Sequence, residues 1–144
     1  GAARAAAFAM RRRGGHLTIL NRTEEKAHSL AQEVGGIGGP LSQLASIAEA
    51  DVVINATSVG MHPHVDETIV GARHLRPHQV VMDIVYNPLQ TRFLREAEER
   101  GCVVVPGCEM LVLQGIVQFE LWTEAPVPVD VMRAVVREQL GDRG

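Results

Sequence analysis

Hydrophobic positions along the chain alternate between helical spacing and short continuous runs. Residues 1–10 are mostly alanine, which favours a helix, and Gly14 and Gly15 supply the backbone angles that end one. Short apolar runs predict strands at residues 16–20, 51–55, 79–84 and 102–105. The first is expected to be mostly buried, the second covered on both faces and the third buried. Helical spacing predicts further helices at residues 23–34, 41–50, 89–100, 109–123 and 129–140. Strands that alternate with helices predict an α/β fold built on a parallel sheet.

The first helix and strand are typical of the middle of a βαβ nucleotide-binding unit, which turns on glycine and leads into a buried strand. Such a unit needs a preceding strand and the early glycines of a phosphate loop, and this sequence begins inside that turn. We therefore expect a Rossmann-like, doubly wound parallel sheet with helices on both faces and its first strand missing. This domain would span residues 1–108, with C-terminal helices over residues 109–144. The glycine-rich stretch at residues 35–40 predicts at most two or three paired residues.

Cofactor choice is indicated by the residues that follow the first predicted strand. About twenty positions after the glycine turn, an acid favours NAD and an arginine accommodates the 2′-phosphate of NADP. Here the chain carries Asn21, Arg22 and Thr23, with Lys26 one turn further on. Arg22 can bind a phosphate with two donors, Thr23 can cap the helix and donate, and Lys26 adds charge at an anion-attracting helix N-terminus. These features predict NADP; the alternative is a capped surface helix with scattered charges.

Loops that leave the later strands are further candidates, because ligands of a doubly wound sheet lie at the carboxyl ends of its strands. Residues 56–61 form the first such loop and residues 85–88 the second. We expect the first loop to lie against the cofactor.

The composition of the chain argues against two classes of partner, nucleic acids and membranes. A net charge of −3 and an aromatic content of 3% argue against a nucleic-acid partner. The arginines at residues 11–13 close a helix, where cations complement the dipole. No apolar run reaches the roughly 18 residues of a membrane span, so no membrane partner is predicted. Two cysteines, Cys102 and Cys108, suit a reducing compartment, and we expect a cytoplasmic protein.

Metal binding is not predicted, although the chain has six histidines. His62 and His64 share a loop, but no third ligand stands at a recognisable spacing. Cys108 has no neighbour that would obviously lower its pKa, so a nucleophilic role is not expected.

Five motifs, taken in order, resemble the NADP-binding and C-terminal part of shikimate dehydrogenases. They occupy residues 1–4 (GAAR), 21–26 (NRTxxK), 55–61 (NATSVGM), 83–88 (DIVYNP) with Thr91, and 107–114 (GCEMLVxQ). The stretch at residues 61–68, with Glu109 before Met110, is most similar to enzymes in which this activity is fused behind a dehydroquinate dehydratase.

The resemblance implies NADPH-dependent reduction of 3-dehydroshikimate to shikimate, in aromatic amino acid biosynthesis. It implies that Arg22, Thr23 and Lys26 bind the 2′-phosphate and that Asn21 lies beside the ribose. The other implied cofactor residues are Gly1, Ala2, Ala3, Thr57, Ser58, Val59, Met61, Val85 and Gly107. Gly107 would let the backbone approach the nicotinamide. Tyr86 and Gln114 would reach hydroxyl or carboxylate groups of the substrate; the alternatives are a half-buried ring for Tyr86 and an exposed helix position for Gln114.

Catalytic residues are not expected in this chain. The resemblance places the catalytic lysine and its aspartate partner in a preceding substrate domain, and Lys26, the only lysine here, is already assigned to the cofactor phosphate. Asp51 and Asp83 adjoin strands, where an aspartate more often caps or hydrogen-bonds a backbone turn. We expect the chain alone to bind cofactor without turnover, and its C-terminal helices, which would face that absent domain, to expose an apolar patch capable of self-association.

Three alternatives remain open at this stage. A quinate or quinate/shikimate dehydrogenase would differ in substrate and cofactor, and Arg22, Thr23 and Lys26 favour NADP over an NAD-preferring relative. A non-catalytic NADPH-binding module would lack any substrate domain. A glutamyl-tRNA reductase cofactor domain shares the Asn-Arg-Thr motif but does not explain Tyr86 or Gln114.

Overall fold

A computed structural model describes residues 1–141 and divides them into two compact units. The first unit is Gly1–Glu49 and the second runs from Ala50 onward. None of the helices over residues 1–141 combines the length and the apolar character that crossing a membrane requires. The predicted boundary near residue 108 concerns functional domains and stays a prediction.

The first unit is a helix-flanked pair of parallel strands. Its elements are α1 (Ala2–Arg12), β1 (Thr18–Asn21), α2 (Glu24–Val34), β2 (Ile37–Pro40) and a 3₁₀ helix at Leu41–Glu49. Strand β1 pairs with β2, with Thr18 opposite Ile37, and α2 packs against both strands through Ala27, Ala31 and Val34. Gly38 permits this packing, because a Cβ there would lie 2.6 Å from the backbone nitrogen of His28.

The second unit contains a three-stranded parallel sheet in the order β3-β4-β5. The strands are β3 (Val52–Asn55), β4 (Val80–Asp83) and β5 (Val103–Val105), and the longer helices are α3 (Arg92–Glu99), α4 (Gly107–Thr123) and α5 (Val129–Gly141). A short 3₁₀ helix, Ala72–His74, lies between β3 and β4. Helix α3 contributes Phe93, Leu94 and Ala97 to a core that also includes Val81. The register places Asn55 opposite Asp83, so the polar last residues of β3 and β4 are neighbours.

Helices α4 and α5 are joined by a charged cluster. Glu109 accepts hydrogen bonds from Nε of Arg133 at 3.0 Å and from Nη2 of Arg137 at 2.9 Å. Partial burial raises the pKa of Glu109, but the two arginines outweigh it and hold the pKa below its ordinary value. Beyond this cluster α4 exposes large apolar side chains, as predicted, among them Leu113, Val117, Phe119, Leu121 and Trp122.

The predicted α/β class and parallel strands are confirmed, and five local expectations are wrong. Strand β1 has no fully buried residue, and Val52 at the start of β3 is exposed. Strand β2 has four residues because parallel pairing uses backbone groups, which glycine also provides. Residues 41–49 form a 3₁₀ helix interrupted by a non-helical backbone at Gln43. Helix α3 begins at Arg92, after Pro88, because Thr91 caps it.

Candidate functional site

The basic residues after β1 project from the start of α2. Arg22, Thr23 and Lys26 are all exposed. Within residues 1–141, the side chains of Arg22 and Lys26 make no hydrogen bond or ion pair. A cation without an internal partner is available to an anion from solution.

The polypeptide turn that presents these cations is held by Asn21. Its Oδ1 accepts a hydrogen bond from the Thr23 backbone N–H at 2.9 Å. Thr23 occupies the N-cap position of α2, as predicted, but its hydroxyl makes no capping hydrogen bond. The Thr23 hydroxyl and the first N–H groups of α2 therefore remain available to a ligand.

An open cleft of about 410 Å³ lies beside this turn in the first unit. Gly1, Ala3, Asn21 and Lys26 are among the residues that line it, so the cleft brings together four of the predicted cofactor residues. Arg22 and Thr23 follow Asn21 directly, and Ala2 lies between Gly1 and Ala3 at the start of α1. Arg4, on the same wall, is already paired with Glu33. The free cations of this region are thus Arg22 and Lys26.

In the second unit, the loop after β3 is shaped by its own polar side chains. Asn55 Oδ1 accepts from the backbone N–H of Thr57 at 3.1 Å and from the Thr57 hydroxyl at 2.8 Å. The same hydroxyl accepts from the Val59 N–H at 3.1 Å, and Asn55 Nδ2 donates to the Val59 carbonyl at 3.3 Å. Thr57 therefore serves the loop's conformation, while Ser58 and Met61 present exposed side chains.

Asp83, the last residue of β4, is completely buried. Its Oδ1 accepts from Asn55 Nδ2 and from the Val85 N–H, each at 3.0 Å, and its Oδ2 accepts from the Thr91 hydroxyl at 2.7 Å. Burial raises the pKa of Asp83, and the bonds from Thr91, Val85 and Asn55 oppose that rise. The expectation that Asp83 hydrogen-bonds a backbone turn is confirmed.

The loop after β4 carries Val85 and Tyr86. Val85 is buried, so only its backbone can meet a ligand, whereas Tyr86 is 43% exposed. The start of α4 lies against this loop, because a Cβ on Gly107 would be 2.5 Å from the carbonyl oxygen of Val85. Glycine at residue 107 is therefore needed for packing, whatever its relation to a cofactor.

Gln114 is exposed on α4, in a shallow depression of about 390 Å³ that also includes Met110, Leu113 and Val117. An amide on an otherwise apolar surface can orient a polar ligand. The structure therefore makes both predicted substrate residues, Tyr86 and Gln114, accessible.

Three polar residues of this region are absent from the predicted set of site residues: Asn55, Asp83 and Thr91. A signal for them exists in the sequence, since Asn55 and Asp83 each end an apolar strand and Thr91 precedes a helix. The spacing alone does not reveal that the three side chains converge. Over residues 1–141, no group of three or more histidine, cysteine or acidic side chains is arranged to hold a metal ion.

Comparisons with known proteins identify the family that this chain matches. The family described as "Shikimate / quinate 5-dehydrogenase" matches residues 2–88, and the "Shikimate 5'-dehydrogenase C-terminal domain" matches residues 107–137. A relative from Methanosarcina mazei, named shikimate dehydrogenase (NADP(+)), is 46% identical over 97% of this chain and 53% of its own length.

Solved structures of shikimate and quinate dehydrogenases are also similar to this chain. Shikimate 5-dehydrogenase from Thermus thermophilus, in complex with NADP(H) and shikimate, superposes with a TM-score of 0.85 at 36% identity, over 93% of this chain and 50% of that one. Quinate dehydrogenase from Corynebacterium glutamicum, in complex with NAD, also gives 0.85, at 29% identity and the same coverage. These likenesses support the Rossmann-like fold class.

The chain spans about half the length of the curated relatives that it matches. Along this chain, the two family descriptions match in the order that the sequence motifs predict. This chain belongs to the shikimate/quinate 5-dehydrogenase family.

Proposed function

We propose that this chain is the NADP-binding part of a shikimate dehydrogenase. The observation that carries the proposal is the pair of exposed, unpartnered cations, Arg22 and Lys26, beside the N-terminus of α2. An NAD-binding unit would favour an acid after β1. The relative from Methanosarcina mazei, named for NADP(+), supports the same choice.

The residues of the first unit fit the adenosine half of NADP. Arg22 and Lys26 would bind the 2′-phosphate together with the Thr23 hydroxyl, and Asn21 would lie beside the ribose. Gly1, Ala2 and Ala3 would meet the cofactor's phosphates at the start of α1. The N-terminus of a helix favours phosphate binding.

The residues proposed for the nicotinamide half belong to the second unit. Ser58 and Met61 would contact it with exposed side chains, and Val85 and Gly107 with backbone atoms. Thr57 and Val59 would hold the loop in shape through the bonds they make to Asn55. When bound, NADPH supplies the hydride for reduction of a carbonyl.

Tyr86 and Gln114 are proposed to bind hydroxyl or carboxylate groups of the substrate, 3-dehydroshikimate in the reductive direction. Proton donation to the reduced carbonyl needs a positioned acid. Lys26 is committed to the cofactor and Asp83 to the Asn55, Val85 and Thr91 hydrogen bonds. We therefore propose that this chain binds the cofactor and does not complete the reaction alone.

Fluorescence titration of the purified chain with NADPH and with NADH tests the binding proposal. We expect NADPH to bind at least about tenfold more tightly, since one charge-assisted phosphate interaction supplies that difference. Equal affinities would contradict the 2′-phosphate site. Shikimate-dependent reduction of NADP⁺ by the isolated chain, above that of a boiled sample, would contradict the proposed inactivity.

A quinate dehydrogenase is the second candidate, favoured by the likeness to the Corynebacterium glutamicum enzyme solved with NAD. The same titration separates the two on cofactor, because that relative's complex contains NAD. An NADH preference would favour the quinate enzyme.

A further inference from the structure

Three segments of the second unit converge on one buried carboxylate. Asp83 receives hydrogen bonds from Asn55 at the end of β3, from the Val85 N–H in the loop after β4, and from Thr91 at the start of α3. Asn55 is 28 residues from Asp83 in the sequence, whereas Val85 and Thr91 are 2 and 8 residues from it. Two of these segments belong to the loops to which the proposed function assigns the nicotinamide and the substrate.

All three partners are donors, and a carboxylate is the side chain that only accepts. Asn55 and Val85 share Oδ1, so that oxygen fixes the end of β3 relative to the loop after β4. Thr91 uses its hydroxyl twice, since it donates to Asp83 and accepts from the Leu94 N–H at 3.3 Å. The start of α3 is thereby tied to the same point.

Other contacts link the same loops without replacing Asp83. The His62 N–H donates to the Asn87 carbonyl at 3.0 Å, which joins the far ends of the two loops. Gly60 has a left-handed backbone (φ 91°), and a Cβ there would lie 3.9 Å from the Cβ of Thr91. The His62–Asn87 bond joins the loops away from the strands, whereas Asp83 and Asn55 join them at the strand ends.

We propose that Asp83 is a positioning residue that sets the two ligand-contacting loops by accepting hydrogen bonds from Asn55, the Val85 backbone and the Thr91 hydroxyl. It does not touch cofactor or substrate, because it is completely buried. This inference rests on the proposed function. Its effect is expected on the nicotinamide end of the cofactor and not on the 2′-phosphate, whose proposed ligands lie in the first unit.

Asp83→Asn is the informative change. The asparagine oxygen can still accept from Asn55 and Val85, but both bonds are weaker because the acceptor is no longer charged. Its NH₂ group would face the Thr91 hydroxyl and leave that donor without its acceptor. Binding of NADPH is compared with binding of adenosine 2′,5′-bisphosphate, which carries the 2′-phosphate but no nicotinamide. We expect NADPH to bind roughly tenfold more weakly and the bisphosphate to bind unchanged.

Asn55→Ala is the second variant, because Asn55 is only partly buried and its loss disturbs less of the core. It removes the donor to Asp83 together with the bonds to Thr57 and Val59, and it should give the same pattern, weaker NADPH and unchanged bisphosphate binding. Asp51→Asn is the matched control, since the same substitution at this exposed aspartate should alter neither affinity. Thr91→Ser keeps the hydroxyl and should retain wild-type NADPH binding.

The outcomes separate the two proposals. Wild-type chain that binds neither NADPH nor the bisphosphate contradicts the proposed function. If the wild type binds both, unchanged NADPH affinity in a folded Asp83→Asn or Asn55→Ala variant overturns the positioning role. Equal losses of NADPH and bisphosphate binding in Asn55→Ala also overturn it, because the effect would then not be confined to the nicotinamide end.

Discussion

The two units use polar side chains at strand ends in opposite ways. After β1, Arg22 and Lys26 are exposed and have no partner within residues 1–141. Asn55 and Asp83, the last residues of β3 and β4, form hydrogen bonds with one another and with neighbouring backbone groups. A polar residue at the end of a strand can bind a ligand directly, or it can fix the backbone that does.

This difference predicts whether a substitution changes the affinity for a ligand or the free energy of unfolding. Removing an unpartnered surface cation leaves no buried group unsatisfied, so affinity changes and stability does not. Removing a buried acceptor leaves several donors without partners, so the folded state loses free energy. Stability and affinity measurements on matched variants therefore test the comparison directly.

The largest effect is expected for Asp83→Ala. The substitution deprives the Asn55 amide, the Val85 N–H and the Thr91 hydroxyl of their common acceptor. We expect the free energy of unfolding to fall by about 3 kcal/mol or more, measured by urea denaturation. The control, Asp51→Ala at an exposed position, should change it by less than about 0.5 kcal/mol. Similarly small decreases in the free energy of unfolding of both variants would contradict the proposed difference between buried and exposed polar residues.

Gly107→Ala should be the next most damaging. The new methyl group would lie 2.5 Å from the Val85 carbonyl oxygen and 2.6 Å from that of Ile84, both rigid backbone atoms. Overpacking of this kind costs about 2 kcal/mol, read as a lower urea midpoint. The same change at Gly115, where the nearest atom is the flexible Met132 Cε at 3.0 Å, should be neutral or stabilising. A stable Gly107→Ala variant would show that α4 can move away from the loop.

Lys26→Ala is expected to act on affinity alone. We predict that NADPH binding weakens by about 1 kcal/mol, or roughly fivefold, with an unchanged urea midpoint. Arg12→Ala, which removes one positive charge at the other end of α1, controls for net charge and should leave affinity unchanged. If both variants weaken binding equally, the contribution of Lys26 is a general charge effect.

Glu109→Gln should have the smallest effect, and it depends on pH. Because Arg133 and Arg137 hold the pKa of Glu109 below its ordinary 4.5, the carboxylate stabilises the fold above that pH and the gain is lost as pH falls through the lowered pKa. Stability of the wild type should therefore fall more steeply below about pH 4.5 than that of the variant. At neutral pH the variant should lose about 1 kcal/mol or less, because the cluster is partly exposed. Glu99→Gln, at an exposed position, serves as the control, and identical pH profiles for Glu109→Gln and wild type would contradict the assignment.

Much of the fold follows from patterns that are local in sequence. The apolar runs before Asn55 and Asp83 and the helical spacing around Phe93 and Leu94 locate β3, β4 and α3 to within a few residues. Exposure of Arg22 and Lys26 also follows from their type and position. The local sequence pattern does not predict features of the fold that depend on tertiary contacts. The length of β2 depends on its pairing with β1, and the start of α3 depends on the Thr91 cap.

The residues of the candidate site also fall into two groups, those that local sequence predicts and those that depend on tertiary contacts. Arg22, Thr23 and Lys26 can be proposed from sequence because each would act on a ligand through its own side chain. Asn55, Asp83 and Thr91 cannot, because their contribution exists only once β3 pairs with β4 and the start of α3 reaches Asp83. Asp83 was expected only to hydrogen-bond a turn, which it does, but its links to Asn55 and Thr91 need the folded structure.

The preference for NADPH over NADH, measured by titration in the wild type and in Arg22→Ala, tests the central claim most directly. We predict that the wild type prefers NADPH, and that the variant loses most of this preference because NADPH binds roughly tenfold or more weakly while NADH affinity stays the same. The urea midpoint should not move. An Arg22→Ala variant that keeps the wild-type preference would contradict the assignment of the 2′-phosphate to this side chain.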